Sequence, residues 1–343
     1  MFRTLLVVAL VGVAGPAQDK KDPPKKVVSA EPTDVAKDAD FATQGEYEAT
    51  VNQDGTDKKI GVQVVANGLG EFTLKLHAGG LPGTGWDGKT FKTTKAVTKD
   101  GKVVFPVKAS GPPVGTIADG VITAPGEDGK PITFKKVSRK SPTLGAEPPK
   151  GAVVLWGKEG DEAKWNGGRL MTLSDGKFLT PAKVGGKGGD IKTKEKFGAF
   201  KMHVEFRLPW MPSHTGQGRG NSGVYLQDRY ELQVLDSFGL NGENNECGGI
   251  YTQHKPSVNM CLPPMAWQTY DIEFTPAQFD DAGKKTKNGR ATILHNGVKI
   301  HDDIEFPKDC PGGAKESPEP GPFRFQDHGD PVIYRNVWVL PVK

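Results

Sequence analysis

Apolar and polar residues alternate without a break from Phe200 to Leu208, and this pattern constrains the fold more than any other stretch. A period of two is that of a β-strand with one packed and one wet face, as found in antiparallel sheets. Similar short runs recur along the chain between turns rich in Gly, Asn and Asp, and no convincing amphipathic helix interrupts them. The sequence therefore predicts an all-β protein.

Composition agrees with this prediction and narrows the class of partner. The 343 residues include 45 glycines and 27 prolines, a high share that favours strands and turns over helices. The chain is long enough for two domains. The formal net charge is only +4, and acidic and basic residues are interspersed, so nothing indicates nucleic-acid binding.

The first residues have the pattern of a secretory signal. Arg3 precedes an apolar run from Leu5 to Val13, and small residues stand before Gln18. A run of this length is too short for a bilayer, which needs about 20 residues. We therefore expect a secreted, periplasmic or cell-surface protein without a membrane span.

Shifts in composition divide the chain further. A stretch rich in Lys, Pro and Asp predicts a flexible leader, and a segment with three prolines predicts a linker between two β domains. In the first domain, the Gly-rich loop 79–85 between His77 and Trp86 either lines a binding site or is only a turn. The predicted divisions are a signal peptide (1–17), the leader (18–40), a small all-β domain of unknown role (41–138), a Pro-rich linker (139–150) and a two-sheet β-sandwich (151–343).

Three cysteines, Cys247, Cys261 and Cys310, fit an exported protein with one disulfide and one remaining thiol. We favour Cys247 with Cys261, a pair that closes a loop of about 15 residues containing His254. The pairing itself cannot be read from sequence. A zinc site is less favoured because no two cysteines have the close spacing of zinc ligands.

The most polar strand candidate runs from Tyr230 to Asp236. Glu231 and Gln233 share one face of this strand, opposite a packed face, and Asp236 joins them only if a bulge intervenes near Leu235. The preceding run 223–227 and the tight connection at Asp228 and Arg229 predict a hairpin with one functional face.

Several ordered blocks of sequence are familiar together. They are Asn221–Leu226, Tyr230–Asp236, Gly249–Tyr251, Trp267–Tyr270, Asn296–Val298, Gln326–Gly329 and Tyr334–Asn336. Over roughly residues 151 to 342 the chain resembles the 3-keto-disaccharide hydrolase family, long known only as a domain of unknown function. The resemblance implies a concanavalin A-like lectin/glucanase jelly roll. It also implies hydrolysis of glycosides that are already oxidised at C3 of the sugar.

The family is similar to laminarinase-type glycosidases, which place acidic residues at three points of one strand of the concave sheet. Here the middle point is Gln233, which does not fit hydrolysis by two paired carboxylates. A C3 ketone acidifies the C2 proton, so that one base suffices to start elimination of the glycosidic oxygen, after which water adds. We expect Glu231 or Asp236 to be that base, on the open, water-facing side of a curved sheet.

Other polar residues of these blocks and strands complete the predicted site. The residues expected to assist the base are Gln233, His254 and His328, and the candidate substrate-binding residues are Glu205, Arg207, Asn221, Tyr225, Tyr251, Trp267 and Asp327. Glu205 and Arg207 are expected on a neighbouring polar face, where a salt-bridged rim is an equally good interpretation. For Tyr225 and Trp267, packing is favoured over stacking on a sugar.

Two questions remain open in the sequence. A divalent metal is possible if Asp236, His254, Asp327 and His328 converge, but their spacing is no ligand signature and the cofactor stays unassigned. The expected partner is a carbohydrate, an oxidised glycoside. The alternative to an enzyme is a non-catalytic carbohydrate-binding, lectin-like surface protein that uses the same sheet.

Overall fold

The computed structural model describes residues 27–53, 55–106, 114–126 and 129–342. The predicted signal peptide, residues 1–17, lies outside them. Within this part of the chain, no helix is both long enough and apolar enough to cross a membrane.

The first β unit is a closed antiparallel barrel. Its eight strands pair in chain order, and the first strand also pairs with the last, which removes free sheet edges. Inward-facing apolar residues such as Val64, Phe72 and Phe134 fill it. The barrel strands are β1 (Gly45–Gln53), β2 (Thr56–Gly68), β3 (Glu71–Ala78), β4 (Phe91–Lys99), β5 (Lys102–Phe105), β6 (Gly115–Ala118), β7 (Val121–Pro125) and β8 (Pro131–Val137).

The second β unit contains fifteen further strands in the described residues. They are β9 (Val153–Trp156), β10 (Trp165–Asn166), β11 (Leu170–Leu173), β12 (Gly176–Leu179), β13 (Ile191–Thr193), β14 (Ala199–Arg207), β15 (Ser222–Leu226), β16 (Tyr230–Val234), β17 (Trp267–Thr275), β18 (Gln278–Phe279), β19 (Lys285–Lys287), β20 (Gly289–His295), β21 (Val298–Phe306), β22 (Arg324–Phe325) and β23 (Ile333–Val342). Two short 3₁₀ segments, Asp161–Lys164 and Gly216–Gly218, lie between strands.

Two sheets of this unit pack face to face. One has five strands in the order β10-β13-β22-β15-β16, and the other has the order β11-β12-β23-β14-β17-β20-β21 with β9 also paired to β23. The core between them is apolar and aromatic, with stacked pairs such as Tyr230 on Phe306 and Phe325 on Tyr334. This confirms the predicted fold class, an all-β chain with a β-sandwich preceded by a small all-β domain.

Local turn chemistry fixes the strand register. Asn296 and Gly297 have φ angles of 51° and 78°, and His295 pairs with Val298, as expected for a two-residue hairpin turn with both central residues left-handed. In the hairpin of β15 and β16, Gln227 and Asp228 are left-handed and Leu226 pairs with Tyr230. The predicted hairpin therefore forms.

The described part of the predicted flexible leader is folded, so this prediction is wrong for residues 27–40. It forms α1 (Pro32–Val35), and the following helix α2 (Ala39–Thr43) continues into the barrel. Phe41 packs edge-on against Trp210, and Asp38 accepts a 2.8 Å hydrogen bond from the Trp210 indole. The segment folds although it has few large apolar residues, because it packs against Trp210, which belongs to the sandwich.

The predicted linker, residues 139–150, lies along the outer face of the larger sheet. The Ser141 hydroxyl is 2.6 Å from that of Thr269, and the Gly145 amide donates to Glu205 over 2.5 Å. Prolines keep this segment out of a regular ladder, as expected, but its polar groups are anchored to side chains of the sheet.

The cysteines are free thiols, and all three are buried. Cys247 and Cys261 are neighbours whose thiols hydrogen-bond each other, and the predicted disulfide between them is not formed. Cys310 lies apart and accepts from Gln253.

Candidate functional site

The candidate site is the outward face of the five-stranded sheet. Alternation in β15 and β16 sends their apolar side chains and Tyr230 into the core, and it leaves Tyr225, Glu231 and Gln233 on the opposite face. We call this group the polar pit. Its members are Lys192, Tyr225, Glu231, Gln233, Arg324 and Gln326.

Glu231 is the central carboxylate of the polar pit. It is 2% exposed, and the Tyr225 hydroxyl donates to its Oε2 over 2.8 Å. Gln326 donates to the same hydroxyl over 3.2 Å. Gly223 provides space for the carboxylate, because a Cβ at this position would lie 2.4 Å from Glu231 Oε1. Sequence and register thus shape a closely fitting cradle around one acid.

Burial raises the pKa of Glu231 to about 7, and this outweighs the lowering by the Tyr225 hydrogen bond and by the Arg324 charge. The nearby Asp190 carboxylate adds to the rise. A carboxyl group with such a pKa exchanges a proton readily near neutral pH, which is the property of a general base or acid.

Two cations lie on the same sheet as this acid, and the charge of Arg324 acts on Glu231. The Arg324 guanidinium lies 3.6 Å from the centroid of the Tyr225 ring and contacts Asp190 over 3.1 Å. Lys192 forms a 2.7 Å ion pair with Asp228, which also contacts Arg324. The positive charges are therefore fixed in place before any ligand arrives.

Two buried acceptor atoms at this site have no hydrogen-bond partner among the described residues, namely Oε1 of Gln326 and Oδ1 of Asn221. Other atoms of both side chains are engaged, since Gln326 donates to Tyr225 and Asn221 donates to the Gln217 carbonyl over 2.8 Å. Buried acceptors normally find donors, so these two are suited to hydroxyl groups of a ligand.

Asp236 does not join Glu231. Strand β16 ends at Val234 without the required bulge. Asp236 lies in the loop after this strand and forms a 2.6 Å ion pair with Arg219. The expected open, water-facing surface is also not found, because Glu231, Gln233 and Asp236 are 2%, 1% and 4% exposed. Glu231 and Gln233 face away from the apolar core, but as the floor of a covered pit.

The two predicted histidines lie in different surroundings. His254 is hydrogen-bonded through Nε2 to the carbonyl of Glu305 on β21, the edge strand of the larger sheet. His328 is exposed and lies near Asp330, whose pKa is raised because burial outweighs the hydrogen bond from the Asn221 amide. Neither contact involves Glu231.

Two other predicted residues near the pit, Tyr251 and Asp327, form hydrogen bonds with backbone groups. The Tyr251 amide donates to the Glu231 carbonyl over 3.0 Å. Asp327 accepts from the amides of Gly189 and Gly329. In the described part of the chain, no three His, Cys, Asp or Glu side chains are placed to share a metal, so Asp236, His254, Asp327 and His328 do not converge as the metal hypothesis requires.

Glu205, Arg207 and Trp267 lie on the opposite side of the sandwich, which corrects the expectation of a neighbouring polar face. Their strands β14 and β17 pair with each other in the larger sheet, and β14 does not pair with β16. Glu205 binds Arg335 over 2.7 Å and Asn336 over 3.0 Å. Arg207 pairs with Asp175 and stacks over Trp267 at 5.1 Å. The alternative interpretation of Glu205 and Arg207 as salt-bridged residues fits these contacts.

Sequence reasoning missed Lys192, Arg324 and Asp190 as members or neighbours of the site. A signal for Arg324 was present, because it stands between Phe323 and Phe325 and must face away from them on a strand. Lys192 and Asp190 follow the Gly-rich stretch 185–189, where no periodicity indicated a face.

Comparison with known proteins shows which family the second β unit matches. The family described as 3-keto-alpha-glucoside-1,2-lyase-like domain matches residues 151–340. A solved chain from Parabacteroides distasonis ATCC 8503, described as "a putative glycosyl hydrolase", is 32% identical over 57% of this chain and 85% of that chain, with a TM-score of 0.47.

Two further solved structures are more distant. A second chain from the same organism with the same description is 19% identical, with 56% and 95% of the two chains covered and a TM-score of 0.37. The carbohydrate binding module CBM66 from Bacillus subtilis is 12% identical, with 51% and 93% covered and a TM-score of 0.29. The search of curated proteins finds no match.

Proposed function

Because the chain belongs to the 3-keto-alpha-glucoside-1,2-lyase-like domain family, we propose that it cleaves glycosides whose sugar carries a ketone at C3. The family indicates a glycosyl hydrolase-like or carbohydrate-related function. One observation carries the finer proposal: a single buried carboxyl group, Glu231, whose pKa of about 7 suits proton transfer at neutral pH.

The reaction needs one base in its first step. Glu231 removes the proton at C2, and the electron pair of the C2–H bond forms an enolate with the C3 ketone. The C1–oxygen bond then breaks as the enolate collapses, and the aglycone leaves as an alcohol after it gains a proton. Water adds across the resulting C1–C2 double bond, so the sum of the steps is hydrolysis.

The surrounding groups support this chemistry. Arg324, whose charge acts on the almost fully buried Glu231, offsets negative charge that develops on the enolate. The unpartnered acceptors of Gln326 and Asn221 receive hydrogen bonds from sugar hydroxyls. Asp236 is the weaker candidate for the base, because its side chain is fully buried against Arg219.

The place of action is part of the same proposal. A secretory signal pattern at residues 1–17 supports export to the periplasm, the cell surface or the medium. An exported enzyme of this kind acts on oxidised glycosides outside the cytoplasm.

The test compares wild type with Glu231→Gln on 3-keto-trehalose, with unoxidised trehalose as substrate control. We expect wild type to release a 3-keto-sugar from the oxidised substrate only, and the variant to be slower by about 10²- to 10⁴-fold, as for loss of a general base. Glu273→Gln is the matched variant, since Glu273 is exposed and paired with Lys201 on the larger sheet.

Two results would contradict the proposal. Wild-type rates in Glu231→Gln would remove Glu231 from the mechanism. Binding of 3-keto-trehalose by wild type without release of product would favour the lectin-like alternative.

A further inference from the structure

Residues 208–221 connect β14 to β15, and we call them the arch. The arch begins in contact with the barrel and ends in the polar pit. Trp210, near its start, is fully buried in the same apolar cluster as the barrel residues Val64, Phe72 and Phe134. Its backbone also exchanges two hydrogen bonds with Ser29, of 2.8 and 3.0 Å. One end of the arch is thus anchored outside the sandwich that carries Glu231.

A second contact secures the far end of the arch. Arg219 donates to Asp236 over 2.6 Å and reaches the carbonyl of Ala66, in barrel strand β2, over 3.4 Å. Between these anchors the β2–β3 turn approaches closely: a Cβ on Gly68, whose φ is +87°, would lie 2.1 Å from the Ser213 hydroxyl. Only a glycine allows this approach without strain.

The middle of the arch covers the pit. The Gln217 side chain accepts a hydrogen bond from Gln233 over 3.2 Å, and its carbonyl holds the amide of Asn221. Gln217 also donates to the carbonyl of Asn245, in the loop that follows β16. Asn221 in turn carries one of the two unpartnered acceptors.

The loop after β16 is held by the barrel as well. The buried ammonium of Lys75, in strand β3, donates to the carbonyl of Leu240 over 3.1 Å and to the Asn241 side chain over 2.8 Å. Gly239 packs against Val65, so closely that a Cβ there would lie 2.4 Å from the valine methyl. The barrel therefore contacts both loops that meet at Gln217.

We propose that the amino-terminal barrel is a positioning module: through its contacts with Trp210 and Arg219 of the arch, it holds Gln217 and Asn221 at the rim of the polar pit for sugar binding. Neither Trp210 nor Arg219 touches the reacting atoms. This inference rests on the proposed function for its kinetic consequence, but its structural consequence can be measured without any substrate. A shift of about 1 Å in a positioning group is enough to weaken binding or rate strongly.

The first measurement is hydrogen exchange of the full chain, in wild type, Trp210→Ala and Trp210→Phe. We expect amides of residues 214–221 to exchange at least about tenfold faster in Trp210→Ala, with β20 and β21 unchanged and with Phe restoring most of the protection. Trp338→Ala is the matched control, because Trp338 contacts the linker at Ala146 and not the arch. Unchanged exchange at 214–221 in a folded Trp210→Ala protein would overturn the proposal.

The second measurement is steady-state cleavage of 3-keto-trehalose by the same proteins. We expect KM to rise about tenfold in Trp210→Ala with kcat changed less than about threefold, and a return toward wild type in Trp210→Phe. Equal losses in Trp210→Ala and Trp338→Ala would show a merely structural role and overturn the proposal. If wild type does not cleave the substrate, the proposed function fails, and the exchange experiment alone decides on the positioning role.

Arg219→Lys covers the case in which Trp210→Ala does not fold. Lysine keeps the charge beside Asp236 but lacks the second arm that reaches Ala66. We expect faster exchange confined to residues 214–221 and the same rise in KM. Wild-type values for both quantities would overturn the proposal.

Discussion

Two glutamates on opposite sides of the sandwich are equally hidden from water and have opposite pKa shifts. Glu231 is 2% exposed and its pKa is raised to about 7, while Glu205 is 0% exposed and its pKa is lowered to about 2. Burial raises the pKa in both. At Glu205 it is outweighed by hydrogen bonds from His203, Asn336, the Gly145 amide and Arg335.

The two glutamates differ in the number of hydrogen-bond donors and cations that contact the carboxylate. Glu205 is held as an anion by a complete set of donors, which is the state of a structural ion pair. Glu231 has one hydroxyl donor, and the nearby Arg324 is already engaged with Asp190 and Asp228. An acid that is buried without full compensation costs stability and can be retained for its chemistry. Burial alone would not have separated these two roles.

The largest expected effect is on folding stability at Glu205. Glu205→Gln leaves Arg335 without its anion and removes one of the two carboxylates that contact His203. We expect a loss of about 3 kcal/mol or more in the free energy of unfolding at pH 7. Chemical denaturation measures this. Glu273→Gln, an exposed control on the same sheet, should change stability by less than about 0.5 kcal/mol. Equal small effects at both positions would show that the Glu205 network does not stabilise the fold.

Unlike Glu205, Glu231 is expected to destabilise the fold at neutral pH. A carboxyl whose pKa rises from 4.5 to about 7 on folding binds a proton more tightly in the native state, so stability falls as pH rises through this window. We expect wild type to lose about 3 kcal/mol relative to Glu231→Gln between pH 4.5 and 7. Denaturation curves across this range compare the two proteins, and parallel pH profiles would contradict the raised pKa.

The same titration should control activity. If Glu231 must be ionised to act as base, kcat/KM on 3-keto-trehalose falls about tenfold for each pH unit below 7. A profile that is flat from pH 5 to 8 would be incompatible with Glu231 as the base.

The smallest expected effect comes from the neighbouring hydroxyl. Tyr225→Phe removes the hydrogen bond that lowers the pKa of Glu231, so the midpoint of the kcat/KM profile should move up by about one pH unit. A downward shift would mean that the hydroxyl does not stabilise the carboxylate.

Local alternation predicted much of this site. It assigned Glu231 and Gln233 to one face and Tyr230, Leu232 and Val234 to the other, because the period of a strand depends only on its own residues. Asp236 was expected to join them only through a bulge near Leu235, but the strand ends two residues before Asp236 and an ion pair with Arg219 holds its side chain. Strand ends depend on contacts outside the strand.

Pairing between distant strands could not be predicted in this way. Glu205 and Glu231 both belong to polar faces, but the sheet to which each strand belongs depends on β14 pairing with β17 and β23. Arg324 and Lys192 reach the pit for the same reason, through the order β13-β22-β15-β16. The cover over the pit also comes from distant loops, so the expectation of an open face was wrong.

Each β unit contributes one residue to the apolar cluster of the other. Trp210 of the sandwich belongs to the apolar cluster of the barrel, and Val65 of the barrel belongs to that of the sandwich. Without the barrel, the segment that matches the family, 151–340, would expose Trp210 to water. In this chain the stability of each β unit therefore depends on the presence of the other.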